Sequence, residues 1–284
     1  VGHAMKKIVL APNPYRDRGL TLTKAAKAML ERDGCETVVS PAFVNVPTDS
    51  PMVALPHAAQ GADMIITFGG DGTMLHVARH VVTLGIPMLG VNVGTKGFMA
   101  TVEPENLELV RRAAAGDYVP SARMLLDVTL TRANGESRTD FAVNDAVVKG
   151  DVNCVDLTVS SDGKRIAFFS GDGVIAATPT GSTAYSMSAG GPIVEPEAEN
   201  IVVTPICAHS MSARSFVLAP ERSVTIAPIR RDNRRVFLSV DGSPAIDLDG
   251  GDEVRVERSA NKLILADMDG RSFYDIALGK LAAT

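Results

Sequence analysis

The sequence predicts an α/β domain followed by a β-rich domain, and three observations carry that expectation. Strand-like and helix-like runs alternate over residues 1–120. The texture then changes to short β-rich runs separated by Asp-Gly and Asn-Gly pairs, and the final run, "SFYDIALGKL", returns to helical spacing. The expected boundaries are an α/β domain over 1–120, a β domain over 121–264, and a C-terminal helix within 265–284 that packs back on the first domain.

"KKIVLA" is strand-like, and "LTLTKAAKAMLERDG" has helical apolar spacing that stops at Gly34. "ETVVS" and "ADMIITF" read as strands, "TMLHVARHVVTLG" as a helix, "IPMLGVNVG" as a strand, and "PENLELVRRAAAGD" as a helix with Pro104 near its start. This alternation predicts a parallel sheet covered on both faces. Beyond it, "RMLLDVTLTRANGESRTDFAVNDAVV" holds two strand-like runs around Asn134-Gly135. Asp162-Gly163, Asp241-Gly242 and Asp249-Gly250 sit between later runs such as "DLTVS", "RVFLSV" and "EVRVE", which predicts mostly antiparallel pairing.

The 284 residues are 45% apolar and carry a net charge of -5 with acids and bases interspersed. No basic face points to nucleic acid and no basic amphipathic helix to a membrane surface, and no run approaches the ~18 apolar residues of a membrane span. A polyanionic small substrate would need local positive charge or backbone dipoles. Cys35, Cys154 and Cys207 are odd in number and in no metal-ligand spacing, which argues against a disulfide framework or structural zinc and favours a reducing cytoplasm. "VGHAM" lacks the basic start and apolar stretch of a signal peptide. Cys207 reads as a buried, small apolar residue, and His57, His80 and His209 as structural or surface histidines.

The chemistry begins at "MIITFGGDGTMLH", residues 64–76. A turn between a parallel strand and the following helix lies at the carboxyl edge of the sheet, where open α/β folds bind ligands. Gly69, Gly70 and Gly72 can take backbone angles that other residues avoid and let a phosphate approach the main chain; Thr73 can cap a helix whose N-terminus favours an anion. Asp71 would repel phosphate, so its presence suggests a chemical role, either taking a proton from an attacking hydroxyl or holding Mg²⁺ through its shell. Phosphoryl transfer calls for both functions. A plain Asx turn is the competing account of an isolated Gly-Asp-Gly. Neither a P-loop pattern nor a G-x-G-x-x-G after the first strand is present.

"SGDGVIAATPTGSTAYSMSAGGPIV", residues 170–194, places seven hydroxyl residues from Thr178 to Ser188 around Gly181 and Tyr185. They supply small donors and acceptors and one aromatic face able to meet a nucleobase or sugar. A Ser/Thr-rich surface loop is the alternative, although the apolar "IVVTPICA" that follows suggests a segment embedded in the fold.

Together, "GGDGT" at 69–73, "NVGTKGF" at 92–98, "VND" at 143–145 and "TPTGSTAYSMSAGGP" at 178–192 resemble the NAD kinase family, in order and over nearly the whole chain. "GGDG" alone is shared with phosphofructokinases and diacylglycerol-type lipid kinases; the threonine-tyrosine segment separates them. The resemblance implies a Rossmann-like first domain of the phosphofructokinase and diacylglycerol-kinase type and a sandwich-like all-β second domain. It implies phosphorylation of the 2′-hydroxyl of the adenosine ribose of NAD by ATP, giving NADP and ADP. Mg²⁺ or another divalent cation would be held mainly by the nucleotide, and inorganic polyphosphate is the alternative donor.

Residue by residue, the resemblance makes Asp71 the proton acceptor, with Gly69, Gly70 and Thr73 around the nucleotide and Gly72 and His76 in contact with the dinucleotide. Phe98 would line the adenine pocket, and Asn144 and Asp145 would hold NAD, where a turn or strand-edge pair is the alternative. Asp172, Thr183, Ala184, Tyr185, Ser186 and Ser188 would complete the nucleotide site. The substrate would lie between the two domains of a homodimer or homotetramer in which a neighbouring subunit completes the NAD site. Three positions stand apart: Ser170 where many relatives carry Arg, Ser243 where some carry Gln, and Lys96 at a variable place. They bear on NAD versus NADH preference and on feedback by NADP. Two rivals remain, a lipid or sugar kinase sharing "GGDG" and a non-catalytic dinucleotide sensor.

Overall fold

The structure is a computed structural model that describes residues 5–43, 54–94, 97–210, 213–229, 234–268 and 273–281; Lys96 lies outside them. The chain divides into two compact units, Val1–Ala122 with Leu263–Thr284, and Arg123–Lys262.

In the first unit β1 (Lys7–Pro12), α1 (Thr21–Arg32), β2 (Glu36–Val39), α2 (Leu55–Ala58), β3 (Met64–Gly69), α3 (Asp71–Val81), β4 (Met88–Asn92) and α4 (Glu108–Ala115) follow in turn. The strands stand in the order β2-β1-β3-β4 and are parallel throughout. Every residue of β3 and β4 is buried, as strands covered on both faces must be, so their apolar runs are continuous rather than alternating. On α3, Thr73, Met74, Val77, Ala78 and Val81 form one buried stripe at helical spacing. The α1 helix starts beside Asp17, whose carboxylate accepts the N–H groups of Leu22 and Thr23, both at 3.0 Å.

The second unit takes up most of β5 (Val119–Thr131), then β6 (Ser137–Ala142), β7 (Asp145–Gly150), β8 (Val155–Ser161), β9 (Lys164–Gly171), β10 (Gly173–Ala177), the single turn α5 (Tyr185–Ser188), β11 (Ile201–Ile206), β12 (Phe216–Leu218), β13 (Val224–Ile229), β14 (Val236–Val240) and β15 (Ile246–Leu248). The last strand, β16 (Glu253–Asp267), pairs antiparallel with β13 near its start and parallel with β4 at Leu265, and α6 (Phe273–Leu281) ends the described chain. One sheet of this unit runs β12-β11-β10-β7-β14-β15. The other pairs β13 with β8 and β8 with β9, and β5 with β6. A single core cluster draws on both: Ala146 and Val148 of β7 and Val174 and Ala176 of β10 join Leu157, Val159, Ile226 and Val256. The alternate residues Val147, Ile175 and Ala177 face the other way and join Val202, with Ala189 and Val194 packed on them. The hydroxyl-rich segment thus covers the outer face of this sheet.

Two hairpin turns have positive φ at both central residues, Asp162 (46°) with Gly163 (75°) and Asp241 (50°) with Gly242 (70°), the signature of type I′. Asp-Gly suits them because Asp tolerates the left-handed region and Gly favours it. No helix among the described residues is long and apolar enough to cross a membrane.

Candidate functional site

In the first unit the strand β3 hands over to α3 with almost no loop. The helix begins at Asp71 itself, with Gly70 as its N-cap and no side-chain capping bond, which corrects the expectation that Thr73 caps it. Thr73 is buried in the first turn, where Asn13 Nδ2 donates to its hydroxyl at 3.1 Å. The glycines also act differently from expectation, since none of the three has positive φ. A Cβ on Gly69 would stand 2.3 Å from Thr73 Oγ1, whereas Gly70 and Gly72 have nothing within 4 Å of theirs. Gly69 is therefore needed for packing, and Gly70 and Gly72 leave open space at the helix N-terminus, where the dipole favours an anion.

That space is a cavity of about 280 Å³ whose walls include Asn13, Arg16, Phe43, Gly70, Gly72 and Val93. Arg16 brings the local positive charge that a polyanion needs, and its guanidinium lies 3.2 Å from where a Gly94 Cβ would stand. Sequence reasoning missed Asn13 and Arg16. Their signal was position, since both follow directly on β1 at the same sheet edge as the glycine-aspartate turn.

The Asp71 carboxylate is held by main-chain donors. Its Oδ2 accepts the Phe98 N–H at 2.6 Å, and its Oδ1 accepts those of Met99 at 2.9 Å and Ala100 at 3.0 Å. Gly97 makes the approach possible: a Cβ there would sit 2.0 Å from Asp71 Oδ1. A carboxylate has about four acceptor positions, so three N–H donors among the described residues leave one lone pair, on Oδ2. Phe98 thus joins the site through its main chain, and its ring meets that of Phe273 with centroids 6.1 Å apart. His76 is stacked on Phe43 at 4.5 Å and lies edge-on to His80 at 5.0 Å. Burial first, then His80 and Arg79, push its pKa below the ordinary histidine value. His76 is thereby held toward its neutral form.

In the second unit the same arrangement recurs with different partners. Asp241 Oδ2 accepts the Val143 N–H at 2.8 Å, and Oδ1 accepts those of Asn144 at 2.8 Å and Asp145 at 3.0 Å. Ser243 closes the turn that carries Asp241: its N–H donates to Val240 O at 2.9 Å and its hydroxyl accepts from Val240 N at 3.3 Å. Asp145 is only 5% exposed, and burial followed by the charge of Asp241 pushes its pKa up to about 7. The hydroxyl-rich segment seats on this pair. Thr178 donates its N–H to Asn144 O at 2.8 Å and its hydroxyl to Val143 O at 2.6 Å, and a Cβ on Gly181 would stand 2.1 Å from Asn144 O.

Most of the hydroxyls have structural partners. Ser182 donates to Pro179 O at 2.6 Å and accepts from Val194 N at 2.9 Å; Thr183 donates to Thr180 O at 3.2 Å; buried Ser186 pairs with Thr204 at 3.0 Å. Ala184 separates the two helical turns, Tyr185 is 40% exposed and Ser188 is exposed. Thr180 Oγ1 is buried with no hydrogen-bond partner among the described residues.

Asp172 is not brought to this group. It lies before Gly173, which pairs with Lys149, whereas Ala177 at the far end of β10 pairs with Asp145. A strand of this length puts Asp172 on the order of 17 Å from the Asn144–Asp145 pair. Around it, Cys154 Sγ stands 3.8 Å from Asp172 Oδ1 and 3.3 Å from His209 Nε2, and Ser170 donates to Asp156. Cys207 is exposed at φ 45°, and a hydrogen bond to Asp172 is the first cause of its raised pKa; the expectation of a buried apolar thiol fails because its strand ends at Ile206. Among the described residues no group of three or more His, Cys, Asp or Glu is arranged to hold a metal ion.

The chain matches the family models for the ATP-NAD kinase N-terminal domain over residues 13–118 and the ATP-NAD kinase C-terminal domain over residues 144–268. Similar curated proteins include the NAD kinase of Symbiobacterium thermophilum, 39% identical over 99% of this chain and 100% of that one, and the NAD kinase of Geotalea daltonii, 33% identical over 98% of each. Yeast NADH kinase complexed with NADH superposes with a TM-score of 0.86 at 26% identity, covering 99% of this chain and 88% of that chain. An NAD kinase from Archaeoglobus fulgidus in complex with ATP has the same fold at a TM-score of 0.75 and 23% identity, over 98% and 99% of the two chains.

Proposed function

This chain belongs to the NAD kinase family, and we propose that Asp71 takes the proton from the ribose hydroxyl that attacks ATP. The reaction is transfer of the terminal phosphoryl group of ATP to the 2′-hydroxyl of the adenosine ribose of NAD, which yields NADP and ADP. One observation carries the role of Asp71: its carboxylate is fixed by three N–H groups, which among the described residues leaves one Oδ2 lone pair for a proton. As the O–P bond forms, the hydroxyl proton passes to that oxygen. The cavity lined by Gly70 and Gly72, which flank Asp71 in the chain, takes the phosphates, with Arg16 and the α3 N-terminus offsetting their charge. Mg²⁺ would travel on the triphosphate, where it would neutralise phosphate charge.

In the second unit Asn144 and Asp145 are the groups for NAD, with Tyr185 offering a face for a ring and Ser188 a hydroxyl. The parallel β2-β1-β3-β4 sheet favours a Rossmann-like first unit, and the core shared by two sheets a sandwich-like second one. The distance of Asp172 from Asn144 along β10 favours a homo-oligomer in which Asp172 serves the site of a neighbouring copy. Mixing Asp172→Ala with Asn144→Ala subunits, each weak alone, should then restore activity in hybrids; no recovery after confirmed subunit exchange removes that role. A cytoplasmic enzyme fits an activity that draws on free NAD and ATP.

The central test is Asp71→Asn in an assay that follows NADP with an NADP-dependent dehydrogenase. Turnover should fall by roughly 10²–10⁴ while NAD binding is largely kept. A variant that retains most of its activity shows that another group is the base.

A further inference from the structure

Asp241 belongs to a turn that the sequence marks only as Asp-Gly, yet it is tied to the Asn144–Asp145 pair more closely than any other side chain described. Its two oxygens collect three consecutive main-chain N–H groups, those of Val143, Asn144 and Asp145, at 2.8, 2.8 and 3.0 Å. The tie runs both ways, because the Asp241 N–H donates to Asp145 O at 2.9 Å. Such a clasp orders the end of β7 where antiparallel pairing with β10 and β14 gives out: Asp145 is the last residue paired to β10, and Ala146 the last to β14. The backbone conformation of Asp241, φ 50°, is one that few side chains other than Asn and Asp adopt readily. Charge-assisted bonds to ionised acceptors are about twice as strong as neutral ones.

We propose that Asp241 is a positioning residue for the acceptor dinucleotide, clasping the Val143–Asp145 main chain so that the Asn144 and Asp145 side chains meet NAD in one fixed arrangement. The inference rests on the reading of Asn144 and Asp145 as NAD-binding groups. A second consequence is electrostatic. Two carboxyl groups share this spot, and the residues across from β7 here, Ala177 and Val240, are uncharged, so Asp241 is the charged neighbour that acts on buried Asp145. Ionisation of Asp145 is therefore disfavoured while Asp241 stays charged.

The test is Asp241→Asn, which keeps an acceptor oxygen and a side chain suited to positive φ but removes the charge and faces an amide NH₂ toward main-chain donors. The Michaelis constant for NAD should rise about tenfold, equivalent to ~1.4 kcal/mol, with that for ATP and the turnover number within about twofold. A purely structural defect would lower both substrates' parameters together. The pH midpoint of kcat/KM for NAD that disappears in Asp145→Asn should also move to lower pH in Asp241→Asn. If Asp241→Asn melts too low to assay, Asp145→Asn and Asn144→Ala in the wild-type turn, combined with amide exchange at 143–145 in Asp241→Asn, replace it: fast exchange at those three amides with protection kept elsewhere supports the clasp. Unchanged NAD parameters and an unmoved midpoint in Asp241→Asn, while Asn144→Ala weakens NAD, overturn the positioning role alone. Unchanged NAD parameters in Asn144→Ala and Asp145→Asn overturn the reading beneath it as well.

Discussion

Asp71 and Asp241 use one hydrogen-bond device for opposite ends. In each, one carboxylate oxygen takes the N–H of the first residue of a distant loop and the other takes the next two. Around Asp71 the loop is the support and the aspartate the proposed base; around Asp241 the aspartate is the support and the loop carries the proposed NAD-binding groups. What separates them is setting. Asp71 stands at the open start of a helix beside a cavity, while Asp241 sits in a tight type I′ turn whose held residue, Asp145, is almost wholly buried. A carboxylate held by main-chain donors is therefore not functional or structural by its contacts alone. The cavity at the start of α3, lined by Gly70 and Gly72, is what separates the two settings.

The sharpest way to break that distinction is Gly97→Ala. The new methyl would lie 2.0 Å from Asp71 Oδ1 and must displace the carboxylate or the loop. Displacing a reacting group by about 1 Å costs on the order of 10² in rate, so turnover should fall by that much with the Michaelis constant for NAD little changed. An active Gly97→Ala enzyme would mean that the loop's grip on Asp71 is dispensable.

Gly181→Ala makes the equivalent intrusion on the other side. Its methyl meets main chain, 2.1 Å from Asn144 O, so the cost falls on stability and NAD affinity rather than on turnover. Overpacking of this kind costs about 1–3 kcal/mol, which thermal melting should register together with a raised Michaelis constant for NAD. A loss of turnover at saturating NAD would erase the proposed division between the two regions.

The regions should also answer pH in opposite directions. Asp145, raised from 3.8 to about 7, holds its proton more tightly when folded. Its stabilising contribution is complete below its unfolded value and is lost as pH rises through about 7. His76, lowered from 6.5 chiefly by burial, contributes stability that is present above that value and lost as pH falls. Asp145→Asn should thus gain in melting temperature relative to the parent as pH rises toward 8, about the upper end of this titration. Parallel curves for the two proteins would exclude the linkage.

The smallest effect belongs to Ser243→Ala, which removes only the 3.3 Å bond from Val240 N to the hydroxyl. A loss of about 0.5–1 kcal/mol with unchanged kinetics is expected, since the Ser243 N–H still closes the turn at 2.9 Å. A kinetic effect on NAD would instead place Ser243 in the clasp itself.

Local periodicity and turn chemistry made much of the architecture readable. The continuous apolar run before Gly69 announces a strand buried on both faces, and Asp162-Gly163 and Asp241-Gly242 announce the two type I′ hairpins. Side-chain chemistry pointed to Asp71 and Tyr185, and the family resemblance to Asn144 and Asp145. The start of α3 was placed two residues late, since Thr73 has a capping side chain and Gly70, the residue that caps, has none.

The sequence alone determined the order of strands and helices, the family, and which residue types gather at the turns. Only the tertiary structure decided what each carboxylate holds. The donors to Asp71 lie 27 to 29 residues away and those to Asp241 96 to 98 away, and every one of them is a main-chain N–H. That group is nearly the same in every residue but proline, so its pairing leaves no mark in the order of side chains and is set by where folding brings the backbone.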